Sequence, residues 1–103
     1  MEGRMTKKMP PMHPGEVLRE EFIEPMGLTP YGLAQALNIP RTRIERVVRE
    51  ETAITADTAH RLGRYFRTTP QFWLNLQSEY DLRVAAAGLG RQLEKIQPHH
   101  EHS

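Results

Sequence analysis

Apolar residues recur at helical spacing along most of the chain, and proline, glycine and capping residues cut the pattern into short pieces. In "HPGEVLREEFIEP", Pro14 suits a first helical position, where its missing N–H costs nothing. Glu16 lies near the positive end of that helix and Pro25 ends it. Val17, Leu18 and Phe22 share one side, while Glu20, Glu21 and Glu24 occupy much of the rest, so the outer face is acidic. Thr29 is a good N-cap for a second helix, with Pro30 following and Leu33, Ala34 and Leu37 pointing inward. Asn38 tolerates a left-handed turn, and Pro40 restricts Ile39 to an extended shape. Pro40 then begins a third helix that runs to about Arg49, with Ile44, Val47 and Val48 as its inward stripe. Arg41, Thr42, Arg43, Glu45, Arg46 and Arg49 are left facing outward.

The pattern repeats its start signals twice more. Thr55 caps a fourth helix with Ala59, Leu62 and Phe66 inward and Arg61, Arg64 and Arg67 on other faces. Thr69 and Pro70 open a fifth, carrying Phe72, Trp73, Leu76 and Tyr80, which Gly88 and Gly90 stop. "RQLEKIQ" adds one or two turns as a short sixth helix. No stretch alternates with period two for long enough to predict a strand, and no internal repeat is present. The predicted class is all-α, five helices in a helix-turn-helix domain.

Length and composition narrow the setting. At 103 residues the chain suffices for one modest core. The expected division is a flexible arm over residues 1–12, a domain over 13–87 and a short extension over 88–103. Met5, Met9 and Met12 are as well placed as Met1 to be the natural start. A net charge of +1 means that bulk charge alone predicts no nucleic-acid partner. Divided along the chain, however, residues 27–49 and 60–67 each carry +3, while 14–26 and 50–59 each carry −3, so folding can gather positive charge on one face. The absence of cysteine removes thiol catalysis, thiolate metal sites and disulfides, and fits a reducing cytoplasm. No apolar run reaches the roughly 18 residues that span a bilayer, so a cytoplasmic protein without a membrane partner is expected.

The second and third helices supply the parts of a helix-turn-helix in order. Ala34 is small where the helices approach, Asn38 sits at the turn, Ile39 plugs the core beneath it, and Ile44 and Val47 hold the following helix down. A reading helix must project donors from its N-terminal half. Arginine pairs with guanine O6 and N7, and a threonine methyl meets a thymine methyl. Arg41, Thr42, Arg43, Glu45 and Arg46 are therefore the candidate base-reading residues, with Thr29, Tyr31 and Arg49 as candidate phosphate contacts. Alternating Arg and Glu is also the ordinary make-up of a solvated, salt-bridged face, and the preceding helix and turn tip "RTRIER" towards DNA.

Other features carry less. Phe72, Trp73, Leu76 and Tyr80 either fill the core together or split, with Trp73 and Leu76 mainly inside and Phe72, Leu76, Tyr80 and Leu82 contributing to a twofold seam. Glu20, Glu21 and Glu24 form a solvated face or meet a basic protein partner. His99, His100 and His102 belong to a solvated tail, and His13 and His60 are isolated structural histidines. No acid pair, phosphate loop, HExxH or nucleophile arrangement is present, so neither catalysis nor a cofactor or metal is expected.

"HPGEVLREEFIEPMGLTPYGLAQALNIPRTRIERVV", "ITADTAHRLGRYF" and above all "TTPQFWLNLQSEYDL" resemble the HigA-type antitoxins, also labelled virulence-associated protein I, over residues 13–82. The resemblance implies a homodimer that binds a palindromic double-stranded operator, represses its own operon and neutralises a HigB-type toxin, a messenger-RNA endonuclease. The family's reading helix falls on Arg41 to Arg49, and its pairing region around Phe72 to Leu82. The chain departs from the commoner pattern at three places. Asn38 stands where glycine is frequent, Pro40 replaces a serine or threonine and loses its hydroxyl, and "REET" replaces a glycine-containing turn. That last change puts Glu50 and Glu51 at the negative end of the reading helix. Two rivals remain at this level: a stand-alone repressor with no toxin, and a protein-interaction module that has lost DNA binding.

Overall fold

The computed structural model describes residues 11–100. Most of the expected N-terminal arm, and His102, lie outside the described residues. Five helices follow in the expected order, with no strand among the described residues. They are α1 (Pro14–Val17), α2 (Pro30–Leu37), α3 (Arg41–Val48), α4 (Ala56–Phe66) and α5 (Pro70–Leu89), followed by a 3₁₀ turn, Gly90–Lys95.

Local chemistry explains each start. Thr29 Oγ1 accepts from the Gly32 N–H at 3.0 Å, Thr55 Oγ1 from Thr58 at 3.3 Å and Thr69 Oγ1 from Phe72 at 3.1 Å, so all three expected threonine caps form. Ahead of α1, the cap is His13, whose Nδ1 accepts from the Gly15 N–H at 2.9 Å. His13 is structural but not isolated: it is buried and stacks edge-on against Tyr80 at 4.8 Å between ring centroids.

Three details differ from expectation. Beyond Val17 the first helix widens into a π segment, Leu18–Ile23, in which the Glu24 N–H donates to the Arg19 carbonyl five residues back. This wider turn brings Ile23 back towards the side of Leu18, so both are buried and Val17 is only half-buried; a 3.6-residue period places Ile23 outside. Pro40 is not the first residue of α3 but its cap, at ψ 143°, and no side-chain hydrogen bond closes that end. Gly88 does not stop α5, which runs through it to Leu89 and ends at Gly90 in a positive-φ conformation.

Leu18, Leu33, Ile44, Leu62 and Trp73 form the fully buried centre, with Phe22 and Phe66 packed against it. Phe22 lies 4.8 Å from Phe66 and 5.0 Å from Trp73 by centroid. The Trp73 indole N–H donates to Thr68 Oγ1 at 2.8 Å, so its polar atom is satisfied. Buried Gln77 accepts from the Ile54 N–H at 2.7 Å, pinning the loop before α4 to α5. Gly15 closes the packing around α3: a β-carbon there would lie 1.8 Å from the Val47 carbonyl oxygen, so the start of α1 rests directly on the backbone of α3.

Candidate nucleic-acid interface

The turn that aims α3 is a Schellman motif. Asn38 is left-handed at φ 60°, the Ile39 N–H donates to the Ala34 carbonyl at 3.1 Å, and the Asn38 N–H donates to that of Gln35 at 3.1 Å. Asn38 thus does the work for which glycine is the commoner choice. With Ile44, Val47 and Val48 buried, α3 is held by one stripe and presents the others. Arg41, Thr42, Arg46 and Arg49 are exposed, while Arg43 and Glu45 are partly covered.

The arginines are not equivalent. Arg41 pairs with Glu45 at 3.3 Å and lies over the Tyr31 ring at 5.7 Å, which spans α2 and α3. Arg43 is ion-paired with Asp57, a residue of α4. Arg61 donates to the same carboxylate oxygen at 3.0 Å and to the Leu37 carbonyl, at the end of α2, at 2.8 Å. Hydrogen bonds from Arg61 and Arg43 hold the Asp57 carboxyl below the usual carboxylate range. Arg46 and Arg49 have no ion-pair partner among the described residues and project their charge outward.

The far end of α3 accounts for Glu50. Glu50 is left-handed at φ 65°, and the Glu51 N–H donates to the Arg46 carbonyl at 2.8 Å, a second Schellman closure where a glycine would be the simpler residue. Arg19, from the π segment of the first helix, donates to the Val48 carbonyl at 2.5 Å and meets the Glu50 carboxylate at 3.2 Å. The positive guanidinium therefore sits at the negative helix end and offsets the adverse placement of Glu50. The role of Arg19 is not legible in the sequence, because nothing local in "EVLREEF" signals a contact with residues 29 and 31 positions further on. The role of Asp57 is hidden for a similar reason: its i,i+4 pairing with Arg61 is readable from spacing, but its pairing with Arg43 is not.

Of the candidate phosphate contacts, Thr29 uses Oγ1 as an acceptor and keeps its hydroxyl proton available. Tyr31 is half-exposed, and its oxygen accepts from Gln35 Nε2 at 3.1 Å, which leaves its own O–H to donate outward. Arg64 and Arg67, from the second basic block, line a groove with His60, Tyr65 and the end of α2. The expected acidic face is exposed at Glu20, Glu21 and Glu24, and Glu20 bonds to Arg19. Along α5, Trp73 is fully buried, Leu76 half-buried, Tyr80 half-buried against His13, Phe72 at 38% exposure and Leu82 at 66%. Phe72 packs edge-on against Trp73 at 5.0 Å between ring centroids while part of its ring stays exposed. Among the described residues no group of three or more His, Asp or Glu side chains is placed to hold a metal, and no helix is long and apolar enough to cross a membrane.

No protein-family model matches the chain. Similarity to individual proteins is strong. Virulence-associated protein I of Dichelobacter nodosus is 55% identical over 78 residues, spanning 76% of this chain and 72% of the relative. Antitoxin HigA-1 of Vibrio cholerae is 39% identical over 79 residues, spanning 77% and 73%. The solved structure of the Pseudomonas aeruginosa antitoxin HigA with the higBA promoter superposes with a TM-score of 0.83 at 49% identity, covering 85% of this chain and 97% of that one.

Proposed function

Because the chain belongs to the HigA-type, virulence-associated protein I family of helix-turn-helix antitoxins, we propose that it binds operator DNA as a homodimer, represses its own operon and neutralises a HigB-type messenger-RNA endonuclease. The observation that carries the DNA-binding part is the posture of α3: one stripe buried, and Arg41, Thr42, Arg46 and Arg49 exposed on a helix that follows the Schellman turn closing α2 and ends in another at Glu50. A relative of the same fold at 49% identity was solved with promoter DNA.

In this reading Arg41, Thr42, Arg43, Glu45 and Arg46 face base edges in the major groove, and Thr29, Tyr31 and Arg49 contact phosphates. Glu45 holds Arg41 or accepts from a cytosine amino group. Twofold symmetry matches a palindromic site by setting two reading helices about 34 Å apart. The exposed parts of Phe72, Leu76, Tyr80 and Leu82 form the seam, and Glu20, Glu21 and Glu24 face the toxin, whose need to hold RNA requires positive charge. No catalytic step is assigned to this chain.

Two variants test the division of labour. Arg46→Ala is expected to relax preference at one base pair of the operator and to cost about 1–3 kcal/mol there. Arg49→Ala is expected to weaken all duplexes alike and to reduce the salt slope by about one phosphate contact. Identical behaviour of both variants across single-base variants of the promoter would overturn the assignment. Co-purification of the native operon's products tests the toxin: a small basic protein that stays bound supports neutralisation, and an operon without such a frame leaves a repressor alone.

A further inference from the structure

One carboxylate on α4 binds side chains that serve two other helices. Asp57 Oδ2 accepts from Nε of Arg61 at 3.0 Å and is ion-paired to Nη1 of Arg43, fourteen residues earlier in the chain. Arg61 carries the connection on to the Leu37 carbonyl at 2.8 Å, where α2 ends and the turn into α3 begins. The three side chains are 38–53% exposed, and pairs that exposed add little to stability. Their geometry is more informative than their energy. A guanidinium has five N–H groups in a fixed plane, and Nη1 is the one engaged here. Among the described residues nothing engages the Nε–Nη2 edge of Arg43, and such an edge makes two parallel bonds to guanine O6 and N7. An arginine with no such anchor samples many rotamers and pairs as readily with phosphate, which carries no sequence information.

We propose that Asp57 is a positioning residue for sequence readout: it holds Nη1 of Arg43 so that the Nε–Nη2 edge is presented to a guanine in the major groove. The proposal rests on the reading of Arg43 as a base contact. It separates two roles on α4, since Arg61 closes the end of α2 whereas Asp57 sets the aim of a residue on α3. It also predicts an asymmetric effect of removing the carboxylate. Discrimination falls, while affinity for unrelated DNA holds or rises because a negative charge near the phosphates is gone.

The test uses the full chain and a duplex of its own promoter, with single-base variants of that duplex and an unrelated duplex of equal length. Arg43→Ala identifies the base pair whose preference Arg43 sets. Asp57→Asn is expected to reduce preference at that same pair by about tenfold, with no reduction in salt slope. Asp57→Glu restores most of the preference, Arg61→Ala leaves it in place, and Arg43→Ala/Asp57→Asn matches Arg43→Ala alone. A merely structural role for the cluster predicts instead that Arg61→Ala and Asp57→Asn behave alike and weaken every duplex equally, which would overturn the proposal. So would an unchanged preference in Asp57→Asn beside a changed one in Arg43→Ala. If Arg43→Ala alters no base preference, the base-reading role of Arg43 fails, and the role of Asp57 fails with it.

Discussion

Glu50 adopts the left-handed conformation that side chains with a β-carbon avoid at a cost of about 1 kcal/mol, and its exposed pair with Arg19 returns only a few tenths. Glu50→Gly is therefore expected to stabilise the protein by about 0.5 kcal/mol in urea titrations, even though it deletes an ion pair. His13 gives a pH dependence of known sign. Burial lowers its pKa below the ordinary 6.5, against the opposing pull of Glu50 and Asp81, and its Nδ1 must stay unprotonated to accept from Gly15. The unfolded chain thus binds the proton more tightly. Stability is complete above about pH 6.5 and falls as the pH drops through the lowered folded-state value. Thermal melts between pH 5 and 8 check this, and His13→Asn, which keeps a capping oxygen, is expected to flatten the curve. The capping threonines were legible because a cap is chemistry within three residues. His13 was not, because histidine is not among the usual capping residues and its burial against Tyr80 is a contact with a residue far along the chain.

At the scale of elements, periodicity predicted which helices exist and which stripe of each is inward, and it failed where the period itself changes. The π segment Leu18–Ile23 buries Ile23 and aims Arg19 at the end of α3, so a local change of helix geometry places the group that closes the reading helix. The same limit applies to α5. Gln77 reads as an outward polar residue, yet it is buried and holds the Ile54 N–H at 2.7 Å. Gln77→Ala leaves that donor unsatisfied and is expected to cost about 1–3 kcal/mol by urea unfolding, more than an exposed glutamine would. Within α3 the exposed candidate residues were legible as a set. Their inequality was not, because Glu45, Asp57 and Tyr31 determine which guanidinium groups are engaged.

Across the whole molecule, the end of α5 and the turn beyond it extend past the core. Leu82, Leu93 and Ile96 in this region are 66%, 47% and 68% exposed. A homodimer seam in this region fits the proposed function. Tyr80 is already engaged with His13, so a charge there would disturb folding as well as association. Leu82→Asp is the cleaner probe: it is expected to give a folded monomer by light scattering with unchanged circular dichroism, and a persisting dimer would move the seam elsewhere. The most direct measurement for the molecule is the salt-dependent affinity of the full chain for its own promoter duplex beside an unrelated duplex of the same length. An operator-binding helix-turn-helix dimer predicts at least about a thousandfold preference for the promoter at physiological salt, with both affinities falling as salt rises. Equal affinity for the two duplexes, or no binding to either at low salt, would contradict it.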